Sequence, residues 1–378
     1  MNRPQPLDSI YIHIPFCLSR CGYCAFNSSP LGGRDPAPYV DAILREAERA
    51  RAEYRVTAPI RTMFIGGGTP TILVPKELTR LIDGIFDLFS FERQAEISVE
   101  ANPNRADKNT FTTLRSLGVN RLSIGIQSFN DPTLKRIGRS HSAKEAKAAI
   151  EGARKAGFVN LNLDLIRGLP GEDEEAWRRS LATAISLGPD HLSIYDLSIE
   201  EGSAFHRSPK NLDLPDEVTV EAMDELTREM TSTAGFERYE ISNYCRPGRE
   251  CRHNINYWQN RQYLGLGAGA VSYIETMRLT NVADADLYQA RVKGGLAVEG
   301  FEILPEEARI RETVIMGLRM KAGVDLAMRS EDGRDLVALY GDTLPRLKGL
   351  GLIEMSDGRL RLTELGMRYA NQVMAELI

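Results

Sequence analysis

Ser9-Ile-Tyr-Ile-His-Ile-Pro-Phe-Cys17-Leu-Ser-Arg-Cys21-Gly-Tyr-Cys24 sets three thiols within eight residues, directly after a β-branched and aromatic run that reads as a strand. Five more such runs follow, at 61–65, 95–100, 121–126, 159–166 and 191–199. Amphipathic helical stretches separate them, among them 39–54, 76–89, 143–156 and 174–187. Pro38 and Pro75 stand near helix starts; Gly118, Gly157 and Gly188 stand near helix ends. Six strand–helix alternations predict parallel strands joined by right-handed crossovers, in an open doubly wound sheet or a partial barrel. The distinctive polar and glycine residues decide between them. The cysteines follow the first strand, Gly66-Gly67-Gly68-Thr69 the second, and Glu100 ends the third. Gln127 follows the fourth, Asp164 and Arg167 close the fifth, and Ser198 ends the sixth. Six furnished strand ends make one rim, as in barrel enzymes; a doubly wound sheet would furnish only its switch point. The expectation is an α/β chain whose residues 1–200 form a partial (β/α)6 barrel.

Composition narrows the class. A chain of 378 residues, 42% hydrophobic and 26% charged, fits two or three domains and buries a core without staples. Five cysteines are too few and too unevenly spaced for a disulfide scaffold. Forty-seven basic against 52 acidic residues give a net charge of −5, which argues against a nucleic-acid partner. Apolar runs fall far short of the ~20 residues that span a bilayer, and the first eight residues are polar and Pro-rich, without a signal core. These features predict a soluble protein of a reducing compartment, the cytoplasm.

Beyond residue 201 the alternation stops. Residues 201–304 read as an extension covering the barrel: a helix at 216–234, a mixed region, the segment His253-Asn-Ile-Asn-Tyr257-Trp258, and a glycine-rich stretch at 265–273. Residues 305–378 read as a smaller C-terminal α+β domain. Its strands at 352–354 and 359–362, around Ser356-Asp357-Gly358 and between helices, resemble a winged helix. From Lys321 to the end, eight basic residues against nine acidic ones leave no electrostatic footprint for DNA, so packing or partner docking is the expected role.

Three thiols this close, in a chain with five, admit three readings. Incidental cysteines fit the spacing poorly. Structural zinc needs a fourth ligand, His13 or a distant cysteine. An iron–sulfur cluster held by three thiolates leaves one iron open to a small molecule, and this reading is preferred. Gly66-Gly67-Gly68-Thr69 is either a tight strand-to-helix turn or a loop whose bare N–H groups receive a carboxylate. Glu100 is either a loop cap or the acceptor for a diol.

The pattern Cys-x3-Cys-x2-Cys after the first strand, with the Gly-Gly-Gly-Thr-Pro loop after the second, resembles the radical S-adenosylmethionine (radical SAM) superfamily. Tyr11-Ile-His-Ile-Pro-Phe-Cys17 is similar to the branch containing oxygen-independent coproporphyrinogen III oxidases and the HemW heme chaperones. The resemblance covers nearly the whole chain. It implies a [4Fe–4S] cluster on Cys17, Cys21 and Cys24, with SAM chelating the open iron and being cleaved on reduction to a 5′-deoxyadenosyl radical. It implies SAM contacts from Tyr11, Gly67, Gly68, Thr69, Glu100, Gln127, Arg139 and Asp164. Arg139 has the guanidinium geometry for the SAM carboxylate. His13 is read as structural, and Asn27-Ser28 as part of the cluster loop.

Within that branch, three features point to the chaperone type. The oxidases carry a further cysteine two residues after the third, where this chain has Phe26; they carry an N-terminal extension, whereas 16 residues precede Cys17 here; and they lack the HNxxYW signature that His253–Trp258 matches. The resemblance therefore implies heme as a third cofactor, with His253, Tyr257 and Trp258 as candidate contacts. By residues alone, His253 reads first as a core histidine between packed aromatics, and the resemblance reverses that reading. Val271 stands where such chaperones commonly have His, Ala25 where they have Asp, and Gly22 where they have Pro. Cys245 and Cys251 are read as structural thiols. The function expected is heme transfer to recipient hemoproteins, with no catalytic residues assigned. Coproporphyrinogen oxidation and radical SAM methyl transfer are the alternatives. Peripheral membrane contact and homodimer formation remain open.

Overall fold

Alternation along β1 (Ser9–Ile14) puts Ile10, Ile12 and Ile14 on one face, all wholly buried, and Ser9, Tyr11 and His13 on the other. Five more strands repeat that division: β2 (Ile60–Gly67), β3 (Phe91–Ala101), β4 (Arg121–Gln127), β5 (Leu161–Arg167) and β6 (His191–Asp196). In the computed structural model, which describes residues 5–105, 108–209, 212–330 and 333–378, these six strands pair in chain order and in parallel. The helices α1 (Ala37–Glu53), α2 (Pro75–Leu88), α3 (Lys108–Ser116), α4 (Ala143–Lys155), α5 (Glu174–Ser186) and α6 (Glu217–Thr233) follow the strands in turn. Each presents an apolar stripe to the sheet, as Leu78, Leu81, Ile82 and Ile85 do in α2. Asp173 caps α5, and Ser142 with Glu145 forms a capping box on α4. The fold is the expected mixed α/β architecture with a parallel central sheet and a smaller C-terminal part.

The arc continues past both ends. Leu264–Leu266 pairs in parallel with β1, and Asn243–Cys245 pairs antiparallel with β6, with Glu237–Arg238 outside it. The sixth strand stops at Asp196, three residues short of the expected end. There Leu197 turns its N–H to the Arg167 carbonyl, which frees the following residues to line the rim.

The extension closes the opposite end. The helix Arg252–Trp258 lies beneath the N-terminal ends of the strands, where His253 bonds Thr62 near the start of β2. Glu96, buried in β3, accepts the N–H groups of Arg252 (2.9 Å) and His253 (3.1 Å). A carboxylate at a helix start satisfies donors the helix cannot.

A second buried carboxylate fastens the glycine-rich stretch to α1. Glu46 accepts the Gly267 N–H (2.8 Å), the Asn281 amide (2.6 Å) and the Tyr288 hydroxyl. Burial pushes its carboxyl up to about 7, against the pull of those three donors. A carboxyl raised above its unfolded value holds its proton better in the folded chain. Stability is therefore fullest below the unfolded value and falls as pH rises through about 7. Glu46→Gln is expected to flatten that slope, removing a loss of about 3 kcal/mol, as read from urea unfolding midpoints at pH 5 and 8.

A separate apolar cluster runs from Val314 to Leu377. It holds the hairpin Ile353–Ser356 and Arg359–Leu362, whose turn uses Asp357 and Gly358 at positive φ. Val324–Asp325 adds a third strand, and the short helices Leu336–Tyr340, Thr343–Gly349 and Glu364–Arg368 complete the winged-helix-like pattern. Among the described residues, no helix is long and apolar enough to cross a membrane.

Candidate functional site

The C-terminal ends of β1 to β6 surround a cavity of about 310 Å³. Cys17, Cys21 and Cys24 line one side of it, and Gly67, Gly68 and Thr69 the floor beside them. Glu100, Gln127, Arg139 and Asp164 line it from the following strand ends and their loops. Parallel pairing in register brings residues 50 to 150 positions apart to one rim.

The thiols are half-buried and reduced. Thr69 Oγ1 donates to Cys17 Sγ at 3.6 Å, and Arg139 Nη1 to Cys21 Sγ at 3.7 Å. Burial raises the Cys17 thiol, with the Thr69 and Ser28 hydroxyls opposing it. No three His, Cys, Asp or Glu side chains among the described residues converge as a single-ion site does. The thiols stand around a space instead, and three soft donors open to one cavity suit a multi-iron cluster. Gly68 shows how tight this wall is: a Cβ there would lie 2.7 Å from the Phe16 carbonyl oxygen and 2.9 Å from Cys17 Sγ. A bare backbone is thus required where this loop meets the segment that carries Cys17.

Two carboxyls face each other across the strand ends. Glu100 Oε2 accepts the Gly67 N–H at 3.1 Å. Burial first, and then the charge of Asp164, push its carboxyl up to about 8. Asp164 accepts from Ser123 Oγ at 3.0 Å and Asn162 Nδ2 at 2.7 Å; burial raises it as well. A neutral Glu100 beside a solvated diol can donate as well as accept. Gln127 occupies the left-handed region at φ 67°, at a register break between β4 and β5, a strained conformation that aims it into the cavity. Arg139 bonds the Gly125 carbonyl, and its buried Nε has no partner in the protein, so the guanidinium keeps capacity for an anion.

Tyr11 lies outside the cavity lining and sits in the barrel interior, stacked against Phe64 and His253, with its hydroxyl 2.9 Å from His13 Nδ1. His13 Nε2 meets the Asn27 carbonyl at 2.8 Å, so the pair supports the cluster loop from below. Asn27 carries the support across to the extension, donating to the carbonyls of Ala268 and Ala283. Gly269 presses so close to Asn27 that a Cβ would lie 2.4 Å from Nδ2. The glycine-rich stretch thus buttresses the cluster loop, a role its sequence did not disclose. Gly22 answers to a similar contact. A Cβ there would meet the Phe205 ring at 2.4 Å, and its N–H, which Pro would lack, donates to the Ile137 carbonyl.

The candidate heme contacts lie at the other end of the barrel. His253 is 1% exposed, with Nδ1 2.8 Å from Thr62 Oγ1 and Nε2 3.0 Å from the Tyr257 hydroxyl. Both ring nitrogens are engaged, and burial lowers its pKa to about 3. Tyr257 packs edge-on against His253 and Tyr263, and the Arg319 guanidinium covers Trp258 at 4.3 Å. The three form a packed floor rather than an open face. Cys245 and Cys251 are buried free thiols, Cys251 beside Glu96 at 3.5 Å.

Comparison with known proteins places this geometry. Residues 11–184 match the Radical SAM superfamily model, and residues 304–369 match the HemN C-terminal domain. The chain is 39% identical to a Mycobacterium tuberculosis protein named heme chaperone HemW, over 99% of this chain and 95% of the relative. It is 37% identical to the Bacillus subtilis protein of that name, over 98% and 99%. Among solved structures, the Escherichia coli coproporphyrinogen III oxidase HemN, a radical SAM enzyme, superposes with a TM-score of 0.85 at 25% identity, over 99% of this chain and 90% of that one. With relatives of that name matched from end to end and both family models matched along the chain, this chain belongs to the HemW family of the radical SAM superfamily.

Proposed function

We propose that this chain binds heme and passes it to hemoproteins in the cytoplasm, holding a [4Fe–4S] cluster and SAM at the rim of its barrel. The observation that carries this reading is the end-to-end similarity to proteins named heme chaperone HemW. Cys17, Cys21 and Cys24 are the donors for the cluster, with Thr69 Oγ1 and Arg139 Nη1 placed to donate to the Cys17 and Cys21 sulfurs. Gly67 and Gly68 offer the bare backbone, Arg139 the cation for a carboxylate, and Glu100 and Asp164 the acceptors for a ribose. Cluster and SAM together supply one-electron chemistry when bound. Gln127 lines the wall of the cavity proposed for SAM, and Tyr11 acts through His13 on the loop that carries the thiols.

A second reading, oxidative decarboxylation of a porphyrinogen propionate, draws on the likeness to HemN. Phe26 opposes it, an apolar side chain 68% exposed where the oxidases carry another thiol. The test is anaerobic incubation of the cluster-loaded chain with coproporphyrinogen III, SAM and reductant, followed by chromatography. The chaperone reading predicts no decarboxylated porphyrin beyond one turnover; protoporphyrinogen formed catalytically would establish the oxidase.

A further inference from the structure

Resting on the heme-binding reading above, we propose that His206 is the axial ligand of bound heme, which lies against the barrel rim beside the cluster loop. The chain has five histidines, and the fold closes four of them. His13 bonds Tyr11 and Asn27, His191 bonds Asn162 and Tyr239, and His253 bonds Thr62 and Tyr257. His141 is buried against the Ile126 carbonyl. His206 alone is exposed. Soft ligands fare no better. Cys245 and Cys251 are buried, and no methionine among the described residues is exposed. Imidazole is a common axial donor to heme iron, and an exposed one is reached by heme without unfolding any part of the chain.

The position supports the chemistry. After β6 the chain lines the cavity with Leu197, Ser198 and Glu200, then turns at Gly202 into the short helix Ala204–Arg207. Phe205 anchors that turn on the cluster loop: its N–H donates to the Gly22 carbonyl at 2.9 Å, and its ring fills the space over Gly22. The backbone of His206, the next residue, is thereby held beside the cluster loop, its N–H on Ser203 Oγ at 3.1 Å and its side chain exposed. On the same loop Leu18 and Phe26 stand 42% and 68% exposed, with the Arg20 cation between them in sequence, and all three line the mouth of the cavity. Apolar side chains suit a porphyrin face and the guanidinium suits a propionate. A single exposed ligand also fits a protein that must release its heme, since a recipient's ligands can displace it stepwise.

The test uses the cluster-loaded chain with the cluster oxidised and diamagnetic, titrated with ferric heme and followed by absorption and electron paramagnetic resonance. The wild type should show imidazole-ligated ferric heme. His206→Ala should lose that signal and bind heme roughly tenfold or more weakly, with SAM binding and iron content unchanged. His206→Met should keep heme but give a thioether-ligated spectrum, which a merely structural role for residue 206 would not produce. A His206→Ala chain with the wild-type spectrum and affinity overturns the assignment while leaving heme binding intact. A wild type that binds no heme overturns both.

Discussion

Cys21→Ser is expected to abolish the cluster, taking bound iron from about four per chain to near zero. Three thiols line the cavity and none is spare, because Cys245 and Cys251 are buried in the extension, away from that lining. Serine keeps the size of the side chain but is a hard, weakly acidic donor that iron–sulfur clusters do not favour. The Arg139 guanidinium that faces Cys21 Sγ at 3.7 Å would then face a hydroxyl, so the change removes a ligand and also the sulfur that this donor meets. Global stability should shift little, since residue 21 is half-buried on a loop. Iron and sulfide analysis after anaerobic reconstitution, beside a thermal melt, reads both effects. A wild-type iron content would remove the thiol trio from the account.

The second large effect is at Gly68. An alanine there would drive its Cβ to 2.7 Å from the Phe16 carbonyl oxygen and 2.9 Å from Cys17 Sγ, and the first of these is backbone that cannot swing aside. Overpacking of this kind costs about 1–3 kcal/mol. The larger loss is functional, because relief must come from moving either the Gly-Gly-Gly-Thr loop or Cys17. Gly68→Ala should weaken SAM binding at least roughly a hundredfold, measured by equilibrium dialysis on chains of matched iron content. Gly294→Ala is the control. It stands at a helix end with nothing within 4 Å of a new Cβ, and SAM affinity should not change.

The rim was legible because its signals are local. Each strand has its own period-two run and each furnished residue follows it directly, so six short readings add up to one site without knowledge of any long-range contact. Pro38 and Pro75 similarly mark helix starts by chemistry that acts within one turn. What the sequence hid depends on distant partners. His253 is decided by Thr62, 191 residues away, and by Glu96, 157 residues away. No spacing rule distinguishes a histidine so enclosed from one that faces a ligand. Glu46 reads as one more charge on an amphipathic helix until Gly267, Asn281 and Tyr288 fold over it. Gly22 looks like a lost proline, and only Phe205 shows that the space is needed. Tyr11 faces the interior as its alternation requires, but alternation cannot say how deep along the barrel a side chain lies.

The arrangement of the two barrel ends bears on how the molecule works. Cluster loop, cavity and exposed apolar side chains share the C-terminal rim, while the His253 helix seals the N-terminal end, with Glu96 on its first N–H groups, His253 bonded to Tyr257, and Tyr263 packed edge-on against Tyr257. In barrels the rim carries chemistry and the floor carries stability. On the proposed placement heme, cluster and SAM share one rim, where a change at one ligand would alter the walls of another.

The most direct test of the account is heme transfer itself. The chain, loaded with cluster, SAM and heme, is mixed with an apo-hemoprotein acceptor, and the acceptor's Soret band is followed over time. The account predicts that the acceptor fills faster than heme dissociates from the chain into buffer, and that the rate rises with acceptor concentration. Filling at the dissociation rate, independent of acceptor, would contradict it.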